Sequence, residues 1–416
     1  MRVVAPRRYP DPASPQLAAG NTLLFRIRTK KEKMMSEKKY GKCISEVNQK
    51  KFLYFPDIDE YAPGELNHYD YRDNEEAPHF IEIGLNGGAA AKGRKMRESS
   101  EAMKRIEFID PRIYYCTCYR HAPMRESLAH RLFYETRSFL SLDPDRTEDI
   151  GVTLHMWMGN GDEAECHVVD RPTTQLVPKG TVGMPFYPVE THGKPGMMLV
   201  VCDNPLEAIV PGREMLPPKP GEEDYTGEKW VAPKVNPKRA GEGKYGKYYS
   251  EVNIKGLPIY PAHQGKLARV MYYDGGNNPE APHCIDVHLI HEAGIGFGIG
   301  DAEKLPLLPN GETDQTTSYE PLLPHKHPFD QTYTFSPTDK DNYPDLGGTV
   351  EFWIGEGEDA EQHIITKAST VLIPKNTVHL PLYFREVRKP FTIVTILDTP
   401  LWAGCYTEKF PAGFKV

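Results

Sequence analysis

The chain repeats itself. Lys39-Tyr-Gly-Lys-Cys-Ile-Ser-Glu-Val-Asn48 recurs as Lys244-Tyr-Gly-Lys-Tyr-Tyr-Ser-Glu-Val-Asn253, and Glu76-Ala-Pro-His79 recurs as Glu280-Ala-Pro-His283. Further on, Gly159-Asn-Gly-Asp-Glu-Ala-Glu-Cys-His167 matches Gly355-Glu-Gly-Glu-Asp-Ala-Glu-Gln-His363. Val177-Pro-Lys-Gly-Thr-Val-Gly183 likewise matches Ile373-Pro-Lys-Asn-Thr-Val-His379, both pairs at an offset of 196 residues. Four matches in one order are not chance, and the period is far longer than that of a solenoid repeat. A chain of this kind folds as two whole domains of one type, here read as 36–205 and 244–416. The intervening 206–243, with Leu216-Pro-Pro-Lys-Pro-Gly221, reads as an extended Pro/Gly-rich linker.

The repeated units read as β. Gly348-Thr-Val-Glu-Phe-Trp-Ile-Gly355 and Thr370-Val-Leu-Ile-Pro374 are rich in β-branched and aromatic residues and end at Gly or Pro. Thirty-eight prolines and 35 glycines suit short strands joined by turns, and the best helical pattern is confined to 94–106. A formal charge of −8 argues against a general nucleic-acid or anionic-membrane surface. No apolar run approaches the roughly 18 residues of a membrane span. Seven cysteines, an odd number, with Cys116-Thr-Cys118 lacking a partner pair, read as reduced thiols of a cytoplasmic protein. Residues 1–35, rich in Arg, Pro and Ala, read as a disordered extension or a mis-assigned start, since Met34-Met35 precedes the repeat directly.

Chemistry concentrates in the second unit. In His325-Lys-His327 the two imidazoles share one face of an extended strand. Gln331 follows four residues later, and His379 stands after the Pro374-Lys-Asn-Thr turn. Three imidazoles and an amide oxygen suit iron, manganese, nickel, copper or zinc. This layout resembles the two motifs of the cupin superfamily, with one departure, Gln331 where Glu is usual. With the duplication, residues 36–416 resemble a bicupin. The resemblance implies an all-β chain of two cupin-type jelly-roll barrels with few helices. It also implies one divalent transition metal per chain, iron foremost with Zn, Mn or Ni as alternatives, a small-molecule substrate, and a homo-oligomer, a dimer, built through the lead-in strands.

The halves can be set against each other. At the offset of 196, His379 falls on Gly183, Gln331 on Glu135, His327 on Arg131 and His325 on Ala129, so the first half has lost all three imidazoles. A remodelled site of His130, Glu135 and His155 is the sharp alternative; a supporting role for the first barrel is the expected one. His79 and His283, and His167 and His363, recur in both halves and read as structural. In the second lead-in, Cys284-Ile-Asp-Val-His-Leu-Ile290 is strand-like, with Asp286 and His288 on one face. Tyr333, two residues after Gln331, is expected in the same cavity, either as a catalytic group or as a side chain that fills the barrel, and Glu351 is a candidate general base. Four protein ligands leave two adjacent positions for a phenol, enediol or hydroxy-ketone. The expected function is an Fe-dependent ring- or C–C-cleaving dioxygenase. A redox-neutral isomerase, lyase or hydrolase, or a non-catalytic ligand-binding bicupin, is the alternative.

Overall fold

The computed structural model describes residues 39–47, 65–70, 73–85, 134–159, 163–181, 183, 186–192, 196–203, 236–254, 267–297, 324–339, 342, 344–401, 405–406 and 411–413. The helical pattern at 94–106, the Cys116/Cys118 pair, the N-terminal extension through residue 38 and most of the linker lie outside them. The chain divides into Met1–Lys42 and Cys43–Val416, and the strands all belong to the second unit.

Among the described residues the first half carries β1 (Ile44–Glu46), β2 (Glu65–Tyr69), β3 (Phe80–Leu85), β4 (Glu135–Ser141), β5 (Val152–Met158), β6 (Glu165–Val169), β7 (Thr173–Val177), β8 (Phe186–Thr191) and β9 (Gly196–Cys202). The second carries β10 (Tyr249–Glu251), β11 (Leu267–Tyr273), β12 (Cys284–Ile290), β13 (Ile295–Phe297), β14 (His325–Lys326), β15 (Gln331–Pro337), β16 (Asp345–Ile354), β17 (Glu361–Lys367), β18 (Ser369–Ile373), β19 (His379–Val387), β20 (Phe391–Leu397) and β21 (Cys405–Tyr406). Helix among the described residues amounts to short 3-10 turns. No helix there is long and apolar enough to cross a membrane.

One sheet runs β10-β7-β4-β9-β3-β2 and another β1-β18-β15-β20-β12-β11. Strand for strand these are the same order, with one exchange. The lead-in strand of each half pairs with the other half. Ile44, Ser45 and Glu46 sit opposite Val371, Thr370 and Ser369, while Tyr249, Ser250 and Glu251 sit opposite Gln175, Thr174 and Thr173. The register is identical at the 196-residue offset. A matching ion pair secures each crossing: Lys367 Nζ to Glu46 at 2.6 Å, and Arg171 Nη1 to Glu251 at 3.7 Å. The lead-in strands are thus taken up within the chain. The second faces of the barrels are β6-β5-β8 in the first and β17-β16-β19-β14-β21 in the second.

The two six-stranded sheets are buried on both sides, which is why Gly196-Met-Met-Leu-Val-Val-Cys202 and Phe391-Thr-Ile-Val-Thr-Ile-Leu397 are almost without charge. Alternate side chains serve different cores. Ile81, Ile83, Met197, Leu199 and Val201 pack with Ile285, Val287, Leu289, Val394 and Ile396 in the core that joins the halves. Phe80, Met198, Val200 and Cys202 turn into the first barrel, where they meet Phe139, Met156 and Tyr249 of the exchanged strand. At the end of the linker, Lys238 continues the first barrel, its backbone bonding to Cys166 and Val168. Cys43, Cys166, Cys202 and Cys284 are buried thiols outside any disulfide.

Candidate metal centre

His325 opens β14, His379 opens β19, and the two are paired across the sheet, so their side chains leave neighbouring strands on one face. His327 lies just past β14, and Gln331 opens β15. The turn before His379 is held against this segment: Asn376 N donates to the His327 carbonyl at 2.6 Å, and Lys375 N to Asp330 Oδ1 at 2.7 Å. Asn376 itself is left-handed, φ 63°, as is Gly180 of the matching turn in the first half, φ 76°. Asn and Gly tolerate that conformation best, which accounts for the Pro-Lys-Asn and Pro-Lys-Gly spellings.

The three rings converge, with centroids 4.4 Å apart for His325 and His379, 4.7 Å for His325 and His327, and 5.3 Å for His327 and His379. All three are buried, as is Gln331. One nitrogen from each ring lies within 4.8 Å of the others, a set that could hold a metal ion. Burial, and then the neighbouring His325 and His327, hold His379 well below the ordinary imidazole pKa, so it is neutral and carries a lone pair. Its Nδ1 lies 3.1 Å from the Thr377 carbonyl, which fixes the proton there and leaves Nε2, without a hydrogen-bond partner, as the donor atom. Gln331 Nε2 donates to Tyr333 Oη at 2.9 Å, which leaves its Oε1 without a partner as well. Buried lone pairs of this kind cost about 1–3 kcal/mol each unless something satisfies them. A divalent cation fits.

Tyr333 lies where the sequence predicts, its ring 5.8 Å from that of His379 and edge-on to Phe352 at 5.1 Å. Burial pushes its phenol pKa up, so it is a neutral hydroxyl. Glu351 is not brought to the imidazoles. It precedes Phe352 on β16 and so faces the opposite side of the strand. There Trp353 Nε1 donates to it at 2.6 Å and Arg385 Nε at 2.7 Å. Burial opposes its ionisation, but these partners outweigh it and the carboxyl titrates below its usual range. A committed carboxylate of that kind is a structural ion pair rather than a base.

The structure adds Phe329, which carries no recognisable signal in the sequence, and a longer reach for Asp286. Phe329 stacks on His327, 5.1 Å between centroids at 14°, and walls one side of the cluster. Asp286 sits opposite Thr395, which sits opposite Tyr333, so the three form one row inside the second barrel. Arg269 clamps Asp286 through two bonds of 2.9 and 2.7 Å. The pairing of Asp286 with His288 on one face was legible; its reach to Tyr333 needed the strand order.

In the first barrel a guanidinium stands where the second has its cluster. Arg137, the counterpart of Tyr333, donates from Nε to Glu135 Oε1 at 2.5 Å, from Nη1 to Gln175 at 3.2 Å, and from Nη1 to the Gly183 carbonyl. A Cβ on Gly183 would stand 2.7 Å from Val177 Cγ2 and 3.3 Å from Arg137 Nη1, so a histidine there has no room. His155 lies between the core residues Leu154 and Met156 on β5 and faces away from Glu135. Ala129, His130 and Arg131 are outside the described residues. The described residues of the first barrel hold no group of metal-binding side chains of their own.

No protein-family pattern and no curated protein matches the chain. Among solved structures it is similar to a mutant of Bacillus subtilis oxalate decarboxylase, at 11% identity over 83% of this chain and 75% of that one, with a TM-score of 0.44. It is also similar to Lactobacillus farciminis oxalate decarboxylase in a formate complex, at 10% identity over 83% of this chain and 84% of that one, with a TM-score of 0.42. By its own strand order, the chain repeats one antiparallel β architecture in its two halves.

Proposed function

We propose that the second barrel is the site of a metal-dependent enzyme acting on a small substrate that chelates through neighbouring oxygens. The carrying observation is the convergence of three buried imidazoles in that barrel, while among the described residues of the other a guanidinium fills the same place. His325, His327, His379 and Gln331 would hold the ion. When bound, it supplies Lewis-acid polarisation of substrate oxygens and, if it is iron, O₂-dependent carbon–carbon cleavage, which is the finer reading.

The chain's own residues define the rest. All four ligands are neutral, so the site keeps a full divalent charge and favours an anionic chelator over a neutral one. Tyr333, already accepting from Gln331, keeps its own O–H to donate to a substrate oxygen. Phe329 and Phe352 make apolar walls that suit an aromatic or planar substrate. Asp286, tied to Arg269 in a two-bonded pair, shares the row of Tyr333 and presents a fixed polar group to the substrate. The first barrel and the exchanged strands brace the site. A homodimer, if formed, would use a surface other than the lead-in strands, which are paired within the chain.

Metal analysis of freshly purified protein, with O₂ uptake measured across a panel of catechols, enediols and hydroxy-ketones, tests the reading. Iron with substrate-dependent O₂ uptake supports it. Tight zinc or manganese with turnover but no O₂ uptake moves the assignment to isomerase, lyase or hydrolase chemistry. Absence of any metal at the His325/His327/His379 set overturns the enzyme proposal.

A further inference from the structure

The repeated Glu-Ala-Pro-His ends each time at the residue before a central strand: His79 precedes β3 and His283 precedes β12. Those strands lie in the two sheets that pack face to face, and the packing brings the two histidines together. Their rings stand 4.8 Å apart at 82°. Both are buried, His79 at 2% and His283 at 0% exposure. His283 has no hydrogen-bond partner on either ring nitrogen, and His79 has none on Nδ1. The other His79 nitrogen, Nε2, meets the Cys202 backbone, which leaves the bare Nδ1 as the atom with a lone pair to offer. Asp398, the residue after β20, reaches the same point, with Oδ1 4.0 Å from His79 Nε2. One donor atom from each of the three lies within 4.8 Å of the others.

A structural role for this pair explains the recurrence but not the bare nitrogens. Two neutral imidazoles can satisfy each other with an N–H···N bond, and at this spacing and orientation they do not. Each unsatisfied buried nitrogen costs about 1–3 kcal/mol. Three of the four are left so. The surroundings also call for positive charge: burial, then Asp330 and Asp203, push the Asp398 carboxyl pKa up, and burial holds both imidazoles in the neutral, ligating form. Asp398 is 48% exposed, which provides an entry path from solvent.

We propose that His79, His283 and Asp398 bind a divalent transition-metal ion of the zinc type at the junction of the two barrels, separate from the barrel site. Two imidazoles and one carboxylate leave a further position for water, and bond lengths of about 2.0–2.2 Å require the donors to draw together to about 3.4 Å. Each half supplies one histidine. The ion is therefore a clamp between the halves, and its binding free energy adds to the stability of their packing.

Cobalt(II) titration of the chelator-stripped full-length chain tests this, read by visible absorption and by the rise in melting temperature. Wild type should take up two equivalents. The His325→Ala/His379→Ala variant should keep one, with a melting temperature still raised by Co²⁺. Adding either His283→Gln or Asp398→Asn to that variant should abolish saturable binding and the thermal shift. Asp398→Asn, at a half-exposed position, guards against a folding artefact, and circular dichroism checks each protein. If His283→Gln and Asp398→Asn leave uptake unchanged, or if the folded His325→Ala/His379→Ala variant binds no Co²⁺, the junction site does not exist. If instead the His325→Ala/His379→Ala pair costs no equivalent while His283→Gln costs one, the junction site stands and the barrel reading falls.

Discussion

Replacing Arg137 tests the idea that the first barrel substitutes a fixed cation for a metal ion. Arg137 is 1% exposed and its partner Glu135 is fully buried. Arg137→Met leaves the Glu135 carboxylate without its cation, and breaking a buried pair from one side costs about 3–5 kcal/mol. The double change Arg137→Met/Glu135→Gln removes both charges and installs the amide that the second barrel carries at Gln331. What remains is the loss of the neutral bonds to Gln175 and Gly183, about 1–2 kcal/mol. The double variant should therefore be about 2–3 kcal/mol more stable than Arg137→Met alone. At about 2–4 °C per kcal/mol for a unit of 150–250 residues, the single variant should melt roughly 10 °C low, and the double should recover more than half of that. Equilibrium urea unfolding of chelator-stripped protein is the assay. Metal content at the second barrel should be unchanged in both. Strict additivity, with the double losing as much as the two singles together, would show that Arg137 and Glu135 do not act as a buried pair.

Three further outcomes are expected. His379→Ala should cut affinity for the barrel metal by well over the 10–100-fold typical of a lost supporting contact, with the fold kept because Gly183 already closes the matching turn without a side chain; a misfolded protein by circular dichroism would count against that. Tyr333→Phe should retain the metal and lower kcat by about 10²-fold or more, in the range of general acid–base or hydrogen-bonding groups, whereas an unchanged kcat would reduce Tyr333 to packing. The pH dependence of the metal-free protein follows from His79, whose pKa is pushed by burial down to about 4. A group that binds its proton more weakly when folded favours the unfolded chain as pH falls. Stability should therefore be full above about pH 6.5 and fall towards pH 4, with His79 contributing about 3 kcal/mol of the loss and the buried His283 and His379 adding to it; His79→Gln should make that limb shallower, not abolish it, in urea titrations at stepped pH.

How much of this the sequence disclosed differs by level. Two similar β domains followed from the repeat, and the His325/His327/His379 convergence followed from strand alternation plus the matched turn. The strand exchange did not, because Lys-Tyr-Gly-Lys and Ser-Glu-Val-Asn are spelled alike in both halves and fit either sheet in the same register. Glu351 was illegible for a related reason. Its face depends on its parity with Phe352, and the β16–β19 register shifts on both sides of that pair, between Thr349 and Val350 and between Phe352 and Ile354. Arg137 aligned with Tyr333 but gave no sign that its guanidinium would fill the place of a cation, since its length reaches Gly183, 46 residues on. The meeting of His79 and His283 needed the packing of two sheets, which no local pattern encodes.

Whether the second barrel alone holds the catalytic metal can be settled by anomalous X-ray diffraction from crystals of the protein as purified. Data would be collected on either side of the absorption edge of the metal found by elemental analysis. A peak is expected between the imidazoles of His325, His327 and His379 and beside Gln331, with none at the Arg137–Gly183 position of the first barrel. A stoichiometric metal whose anomalous peak lies away from those three histidines would overturn the assignment.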